Sequence, residues 1–221
     1  MRTESLRVET KNGESSAYIV RPDNDTDKAV LIIQEYWGVN EHIKDIAGRY
    51  ADEGFIGIAP DLYRGKIAKN PDEASKMMRD LALEDGIDTI AQTVSKTREV
   101  SGVSQLGITG YCMGGTFALR AACELGEFGA AVPFYGDIPD DEVLSKLRTP
   151  TIFISGTRDG WITPEKVAGL EKAAEKFGLP IESIKYDADH AFFNDTRPEV
   201  YDKTAAKDAW GKAIAFFKEN L

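Results

Sequence analysis

The sequence predicts an α/β fold with a mostly parallel sheet, helices on both faces and an antiparallel hairpin at the N-terminus. Strand-like and helix-like segments alternate from Ala29 onward, which is typical of parallel strands joined by right-handed helical crossovers. Residues 29–34 form an apolar run, as expected for a strand that helices cover on both faces. An Asn-Gly turn within residues 11–14 joins two short stretches of β character and predicts the hairpin. We expect a single domain over residues 1–221, without a separate cap domain.

The later strands are short apolar runs, each followed by a loop. They are expected at residues 55–59, 106–109, 130–135, 150–155 and 181–186. Helices are expected where apolar residues recur at helical spacing, in residues 43–51, 72–98, 115–125, 164–177 and 199–220. The segment 72–98 is expected to break near Gly86, where charges crowd, and Phe177 is expected to face the core. Met77, Met78 and Leu81 are expected in the core or in a pocket wall.

Composition limits the possible partners. The 221 residues are 42% hydrophobic and 29% charged, which suits one soluble domain with a sizeable core. Acidic residues outnumber basic ones by 37 to 27, and the net charge of -10 argues against nucleic acid and anionic membranes. No apolar run approaches the ~20 residues of a membrane span, and the first ten residues do not resemble a secretory signal. The two cysteines predict no disulfide framework, so we expect a cytoplasmic protein.

The candidate nucleophile is Cys112, in the stretch Gly110-Tyr111-Cys112-Met113-Gly114. This stretch lies between a predicted strand and a predicted helix. A strand, a tight turn with a nucleophile at its tip and a helix make the nucleophile elbow of α/β-hydrolases, which more often carry serine. The glycines fit this interpretation because bulky side chains at their positions would keep the strand and helix apart. The helix N-terminus is expected to lower the pKa of the Cys112 thiol.

The order of residues downstream supports the elbow. α/β-Hydrolases follow the chain order nucleophile, acid, histidine. Asp159 comes after the predicted strand 150–155, and His190 comes after the predicted strand 181–186. Because the carboxyl ends of parallel strands meet at one rim, we expect both side chains to lie near Cys112. This arrangement would supply a base for the thiol and an acid that orients the base.

Other interpretations of the acidic residues and histidines remain open. Asp137 follows the strand after the elbow helix and could be the acid, while Asp187 and Asp189 lie in the loop of the histidine. We prefer Asp159 because a Gly-x-x-Asp turn sets its carboxylate at a strand end. His42 lies at a helix start, beside the loop that contains Glu35. A zinc site is disfavoured, because the sequence has no paired short ligand motif and no third strong ligand.

Five motifs together resemble the dienelactone hydrolase family. They are residues 34–40 (QEYWGVN), 60–63 (PDLY), 110–115 (GYCMGG), 156–159 (GTRD) and 190–192 (HAF). They occur in the family order and span nearly the whole chain. The resemblance implies an α/β-hydrolase fold without a cap domain, usually monomeric. It also implies hydrolysis of cyclic enol esters such as dienelactone, with no cofactor.

The resemblance also implies roles for individual residues. Cys112 would be the nucleophile, His190 the base and Asp159 the group that orients it. Glu35 would contact the resting thiol and help to form the thiolate when substrate binds. The oxyanion hole would consist of the backbone N–H groups of Tyr36 and Met113. The candidates for contact with the substrate are Trp37, Arg79, Trp161 and Phe192.

One position departs from the family pattern. Well-studied members bind the carboxylate of the substrate with arginines, one of them four residues after the histidine. That position is Asn194 in this sequence, with Arg197 further on, and Arg79 matches the other arginine only loosely. Dienelactone as the physiological substrate therefore does not follow. Two other functions remain open: a non-catalytic ligand-binding member of the fold, and a redox thiol, for which no resolving cysteine is placed. Cys123, on the elbow helix, is expected to be a small buried residue.

Overall fold

The computed structural model describes residues 1–221, apart from the side chain of Ser101. The strands are β1 Arg2–Thr10, β2 Gly13–Arg21, β3 Lys28–Ile33, β4 Ile56–Pro60, β5 Gln105–Tyr111, β6 Ala130–Phe134, β7 Thr151–Gly156 and β8 Ile181–Tyr186. The helices are α1 Glu41–Asp52, α2 Pro71–Asp80, α3 Leu83–Ser101, α4 Met113–Glu124, α5 Asp141–Leu144, α6 Pro164–Phe177 and α7 Lys203–Asn220.

All eight strands form one sheet, in the order β1-β2-β4-β3-β5-β6-β7-β8. The hairpin strands β1 and β2 pair antiparallel through the turn between Thr10 and Gly13, and β2 pairs antiparallel with β4. The six strands from β3 to β8 run parallel. This arrangement confirms the predicted fold class. It also brings the carboxyl ends of β5, β7 and β8 to the same rim of the sheet.

The apolar run of β3 is explained by two hydrophobic cores, one on each face of the sheet. Leu31 and Ile33 pack into the core beneath α3, α4 and α6. Val30 and Ile32 point the other way, into the core beneath α1 and α7. Because successive side chains of a strand alternate between faces, burial on both faces requires an apolar residue at every position.

Four local predictions are corrected. The break between α2 and α3 falls at residues 81–82, and Gly86 lies inside α3, where a Cβ would overlap the ring of Phe117. Phe177 is 36% exposed, with the Lys176 ammonium over its ring. The short helix α5 was not predicted. The last helix begins at Lys203 rather than at residue 199, because the Asp202 carboxylate caps it by accepting from the N–H groups of Thr204 and Ala205.

Candidate active site

The elbow turn places Cys112 between the end of β5 and the start of α4. Its backbone has φ 56° and ψ -117°, a strained conformation for a residue that is not glycine. The Cys112 N–H donates to the carbonyl of Phe134 at 3.1 Å. A Cβ at Gly110 would overlap the carbonyl of Gly114, and a Cβ at Gly114 would overlap the carbonyl of Ile33. The glycines are therefore required for the close approach of strand and helix, as the sequence predicted.

Asp159 and His190 form a hydrogen-bonded pair above the ends of β7 and β8. The Asp159 Oδ2 atom lies 2.6 Å from His190 Nδ1. The other oxygen, Oδ1, accepts from the backbone N–H groups of Trp161 and Ile162 at 2.8 and 2.9 Å. Burial alone would raise the pKa of Asp159, but the bond to His190 and these backbone donors lower it below its usual value.

The ionised state of Asp159 fixes the tautomer of His190. A carboxylate accepts only, so Nδ1 of the imidazole donates to it and Nε2 of the neutral ring is the acceptor. Nε2 is buried and has no hydrogen-bond partner among the side chains that the structure describes. The ring lies edge-on to Tyr135 and to Trp161, with centroids 5.1 and 5.2 Å apart. The imidazole is therefore oriented on three sides and has a free acceptor nitrogen.

Strained backbone conformations are concentrated at the rim of the sheet where Cys112 and His190 lie. Four residues other than glycine have positive φ, and three of them are Cys112, Tyr135 and Ala191. Tyr135 directly follows β6, the strand beside the elbow strand, and Ala191 directly follows His190. Such conformations cost on the order of 1–3 kcal/mol each, so they persist only where the surrounding structure holds them.

The thiol of Cys112 is held in its neutral form. Its exposed fraction is 8%, and burial raises the pKa of the thiol well above its usual value. The charge of Glu35 raises this pKa further, while the backbone N–H of Met113 and the charge of Arg197 act in the opposite direction. The expectation of a thiol pKa lowered by the helix N-terminus is therefore wrong. Desolvation and a neighbouring carboxylate outweigh the helix dipole at this position.

Glu35 lies at the start of the loop after β3 and is buried. Burial raises the pKa of its carboxyl to about 7, although a hydrogen bond from Asn194 and the charges of Arg197 and His190 lower it. The Asn194 Nδ2 atom donates to Glu35 Oε2 at 2.6 Å. The position that differs from the family pattern is therefore occupied by a partner of Glu35.

The loops after β3 and β4 carry aromatic residues of the site. Tyr36 and Trp37 are half-buried, with ring centroids 4.7 Å apart. The hydroxyl of Tyr63 donates to the sulfur of Met113 at 3.1 Å. Tyr63 is held by Asp61, whose Oδ1 accepts from the Tyr63 N–H at 2.9 Å. The residues 60–63 that carry the resemblance thus place a tyrosine against the residue that follows the nucleophile.

The four side chains predicted to contact the substrate differ in exposure and in distance from the site. Trp161 is 36% exposed beside His190, and Trp37 is half-buried in the Glu35 loop. Arg79 is exposed near the end of α2, and no hydrogen bond or ion pair within the described residues joins it to the site. Phe192 is 0% exposed and packs against Tyr135 and Tyr186. The prediction for Phe192 is therefore corrected, because a side chain without accessible surface serves the core.

The rival acids are engaged elsewhere. Asp187 and Asp189 both pair with Arg158 on the exposed surface. Asp137 pairs with Lys166 at 2.7 Å. The second histidine, His42, is buried in α1 with Nδ1 3.4 Å from Asp195, and burial lowers its pKa. None of these groups replaces Asp159 beside His190.

Two residues of the site were not predicted from the sequence. Tyr135 lies edge-on to His190, and Tyr63 contacts Met113. Both follow strands of the parallel sheet at the same rim as Cys112. Their position at strand ends was the available signal, although a tyrosine there is also a common core residue.

Two further observations concern the part of the chain that the structure describes. No group of three His, Cys, Asp or Glu side chains comes together in a way that could hold a metal ion. No helix has the length and apolar character needed to cross a membrane.

The chain is similar to known proteins of one family. Residues 15–221 match the model of the Dienelactone hydrolase family. Protein usf of Aquifex pyrophilus is 37% identical over an alignment of 204 positions, which covers 87% of this chain and 88% of that protein. A candidate carboxymethylenebutenolidase of Escherichia coli K12 is 32% identical over an alignment of 241 positions, gaps included, which covers 96% of this chain and 85% of that protein.

A solved structure shows the same fold. The crystal structure of a candidate dienelactone hydrolase from Klebsiella pneumoniae superposes with a TM-score of 0.88 and 26% identity, over 99% of both chains. Together with the family match over residues 15–221, this likeness over the full length assigns the chain to one known fold. The chain therefore belongs to the dienelactone hydrolase family and is a hydrolase of small-molecule esters or lactones.

Proposed function

We propose that the chain hydrolyses its ester or lactone through a Cys112, His190 and Asp159 triad, by way of an acyl-enzyme intermediate. The 2.6 Å contact between Asp159 Oδ2 and His190 Nδ1 carries this proposal. It leaves Nε2 of a neutral imidazole as the proton acceptor that a thiol nucleophile needs. The strained elbow backbone of Cys112 supports the same role, because strain of this kind recurs at active sites.

The reaction has two steps in this proposal. The Cys112 sulfur attacks the carbonyl carbon as its proton passes to His190 Nε2. The C–O bond of the ester then breaks, and the imidazolium returns the proton to the leaving oxygen. In the second step His190 removes a proton from water, the resulting hydroxide attacks the thioester, and the acid leaves as the thiol re-forms. In a lactone, acid and alcohol remain in one product.

The negatively charged oxygen of each tetrahedral intermediate needs hydrogen-bond donors that stabilise it. We assign the backbone N–H groups of Tyr36 and Met113 to this role. Met113 opens α4, so the dipole of that helix favours negative charge at the same point. Removal of one such donor in other hydrolases costs about 10²–10³ in kcat.

The resting site also needs activation, because burial and Glu35 keep the Cys112 thiol protonated. We assign Glu35 a supporting role in thiol activation, as the family resemblance implies. With a pKa of about 7 its carboxyl can be neutralised near neutral pH, which removes the charge that raises the pKa of the thiol, and the thiol proton then passes to His190 Nε2. Trp37 and Trp161 are the side chains that we assign to contact with the substrate.

The remaining features of the proposal concern the whole chain. The single sheet supports one domain over residues 1–221. Both cysteines are free thiols, which supports a reducing compartment such as the cytoplasm. We propose that the chain acts as a monomer.

The experiment is a screen of initial rates on dienelactones, simple lactones and p-nitrophenyl esters of varied acyl length. Cys112→Ala is expected to abolish turnover, because no other group can form the acyl-enzyme. Cys123→Ala is the matched control, since that thiol is buried in α4 away from the elbow. Mass analysis of protein quenched during turnover should show the acyl group on Cys112. Full activity in Cys112→Ala would end the proposal, and wild-type protein that binds esters without turnover would favour a ligand-binding role.

A further inference from the structure

A cavity of about 420 Å³ lies between the C-terminal end of α1 and the first half of α7. The loop after β8 contributes Phe193 to its wall. The side chains of the proposed catalytic mechanism, Glu35, Cys112, Asp159 and His190, do not line it. Sites for small molecules commonly enclose about 300–1,000 Å³, so this cavity is large enough to hold one.

Three aromatic side chains, Phe193, Tyr201 and Trp210, form the apolar part of the wall. The ring centroids of Phe193 and Trp210 lie 6.1 Å apart. Phe193 stacks on the buried ring of Tyr111 at 5.0 Å. Trp210 lies 4.7 Å from the buried ring of Tyr50. Because these two rings are anchored in the core, they offer a preformed surface against which a planar apolar group can pack.

The wall also carries four hydrogen-bond donors that have no partner within the described residues. They are the ammonium groups of Lys203 and Lys207, the hydroxyl of Tyr201 and the indole N–H of Trp210. The two lysines are four residues apart, so their ammonium groups lie on one face of α7. Like charges at this spacing destabilise a helix slightly unless a negative charge compensates them.

The wall has an excess of positive charge, although the whole protein carries a net charge of -10. The guanidinium of Arg49 already pairs with two aspartates. Glu53 pairs with Lys218 at 2.7 Å. Asp52 is the one carboxylate of the wall without an ion pair in the part of the chain that the structure describes. Two unpaired ammonium groups therefore outnumber one unpaired carboxylate, and the cavity is complementary to an anion.

We propose that this cavity is a second binding site, for a small aromatic carboxylate. The ring packs against Phe193 and Trp210, and the carboxylate accepts hydrogen bonds from the two ammonium groups of α7. A neutral aromatic molecule would leave the ammonium groups uncompensated, and an aliphatic anion would lose the contact with the rings. The inference goes beyond the proposed function, because the site uses none of the groups that act on the ester.

The three tryptophans allow the site to be located in solution. Nitrogen–proton correlation NMR of the labelled protein detects the indole N–H signals of Trp37, Trp161 and Trp210, and Trp210→Phe identifies the signal of Trp210. Benzoate at millimolar concentration is expected to shift the Trp210 signal in a saturable way. Benzamide keeps the ring without the charge, and cyclohexanecarboxylate keeps the charge without the aromatic ring, so each should bind several-fold more weakly. A Trp210 signal that ignores benzoate, or responds equally to benzamide, would overturn the inference.

Lysine variants test the charged half of the site. Lys207→Gln should raise the Kd measured from the Trp210 signal by about 3-fold, and the double variant with Lys203→Gln by about 10-fold, because exposed ion pairs are lost. Lys172→Gln removes an exposed ammonium group of α6 and is the matched control, with an unchanged Kd expected. Equal effects of Lys207→Gln and Lys172→Gln would contradict the proposed site.

The other indole signals separate this site from the catalytic centre. A response of Trp161 without one of Trp210 would place benzoate beside His190 and would contradict the inference. Because the measurement needs no turnover, it is independent of the Cys112→Ala experiment that tests the proposed function.

Discussion

At the scale of single residues, the chemistry of the site depends on which groups are charged before substrate arrives. Asp159 is ionised, because its hydrogen bonds outweigh the effect of burial on its pKa. Cys112 is protonated, because burial and Glu35 raise the pKa of its thiol. In the proposed mechanism the site therefore rests with a neutral nucleophile and an oriented base, and the proton must move after substrate binds.

Asp159→Asn tests the role of the acid. The asparagine can keep the bonds from the N–H groups of Trp161 and Ile162, but its amide favours the wrong tautomer of His190. We expect kcat to fall by about 10³–10⁴-fold while the fold is retained. Steady-state rates on the best ester substrate, together with circular dichroism, measure both. The matched control is Asp189→Asn, which changes an exposed aspartate on the neighbouring loop and should leave kcat within a few-fold of wild type. The reverse pattern would transfer the acid role to Asp189.

Glu35 should make stability depend on pH in a defined direction. Its pKa is 4.5 in the unfolded chain and about 7 in the folded protein. A raised pKa contributes stability that is present below pH 4.5 and is lost as the pH rises through 7. Glu35→Gln cannot ionise, so at pH 8 it should be more stable than wild type by on the order of 3 kcal/mol, with little difference at pH 4.5.

Urea unfolding of both proteins at pH 4.5 and pH 8 measures this difference. Glu219→Gln, at an exposed position of α7, is the control for the loss of one surface charge. A Glu35→Gln variant that is no more stable than wild type at pH 8 would show that the buried carboxylate is not a destabilising charge.

The sequence could select the residues of the proposed triad but not their ionisation. Chain order and strand ends were sufficient to select Asp159 and His190. The neutral state of Cys112 depends on how deeply the thiol is buried and on its distance from Glu35. The local sequence determines neither of these. The sequence could not predict the hydrogen-bond donor to Glu35 either, because Asn194 lies 159 positions away along the chain.

At the scale of elements, the elbow joins β5 to α4 by packing backbone against backbone. The glycines of the elbow contact main-chain oxygens rather than side chains, so their neighbours cannot move aside cheaply. The strand and helix boundaries were predicted within a few residues, because apolar runs and periodicity mark them. The break between α2 and α3 was predicted in the wrong place. Gly86 leaves space for the ring of Phe117, and periodicity does not report this contact between two helices.

Gly114→Ala tests this packing. The added methyl group would overlap the carbonyl oxygen of Ile33 in β3, so the elbow helix must shift. We expect the free energy of unfolding to fall by about 1–3 kcal/mol, with a larger loss of esterase activity because Cys112 moves with the turn. Gly211→Ala is the control, since a Cβ there meets no atom within 4 Å and the residue lies in α7. That variant should gain about 0.5–1 kcal/mol in urea unfolding. Equal effects at the two positions would contradict the elbow argument.

At the scale of the whole molecule, the strand order leaves two edges, β1 and β8. The sequence could predict parallel strands and a hairpin, because apolar runs and an Asn-Gly turn are local signals. It could not predict that β2 pairs with β4, since that pairing depends on which edge is free when the hairpin docks. Both edge strands carry charged residues of both signs, among them Arg7 and Glu9 on β1 and Glu182 and Lys185 on β8.

These charged edges underlie the prediction of a monomer. Charged side chains on edge strands oppose pairing with a second sheet, because association would bury them without partners. We expect light scattering after size exclusion to give 24.3 kDa at all concentrations measured, in low and in high salt. Replacing the edge charges by Glu182→Val and Lys185→Val should raise the apparent mass at high concentration. A wild-type mass of twice 24.3 kDa would contradict the monomer, and a variant that stays at 24.3 kDa would show that β8 is protected by something other than its charges.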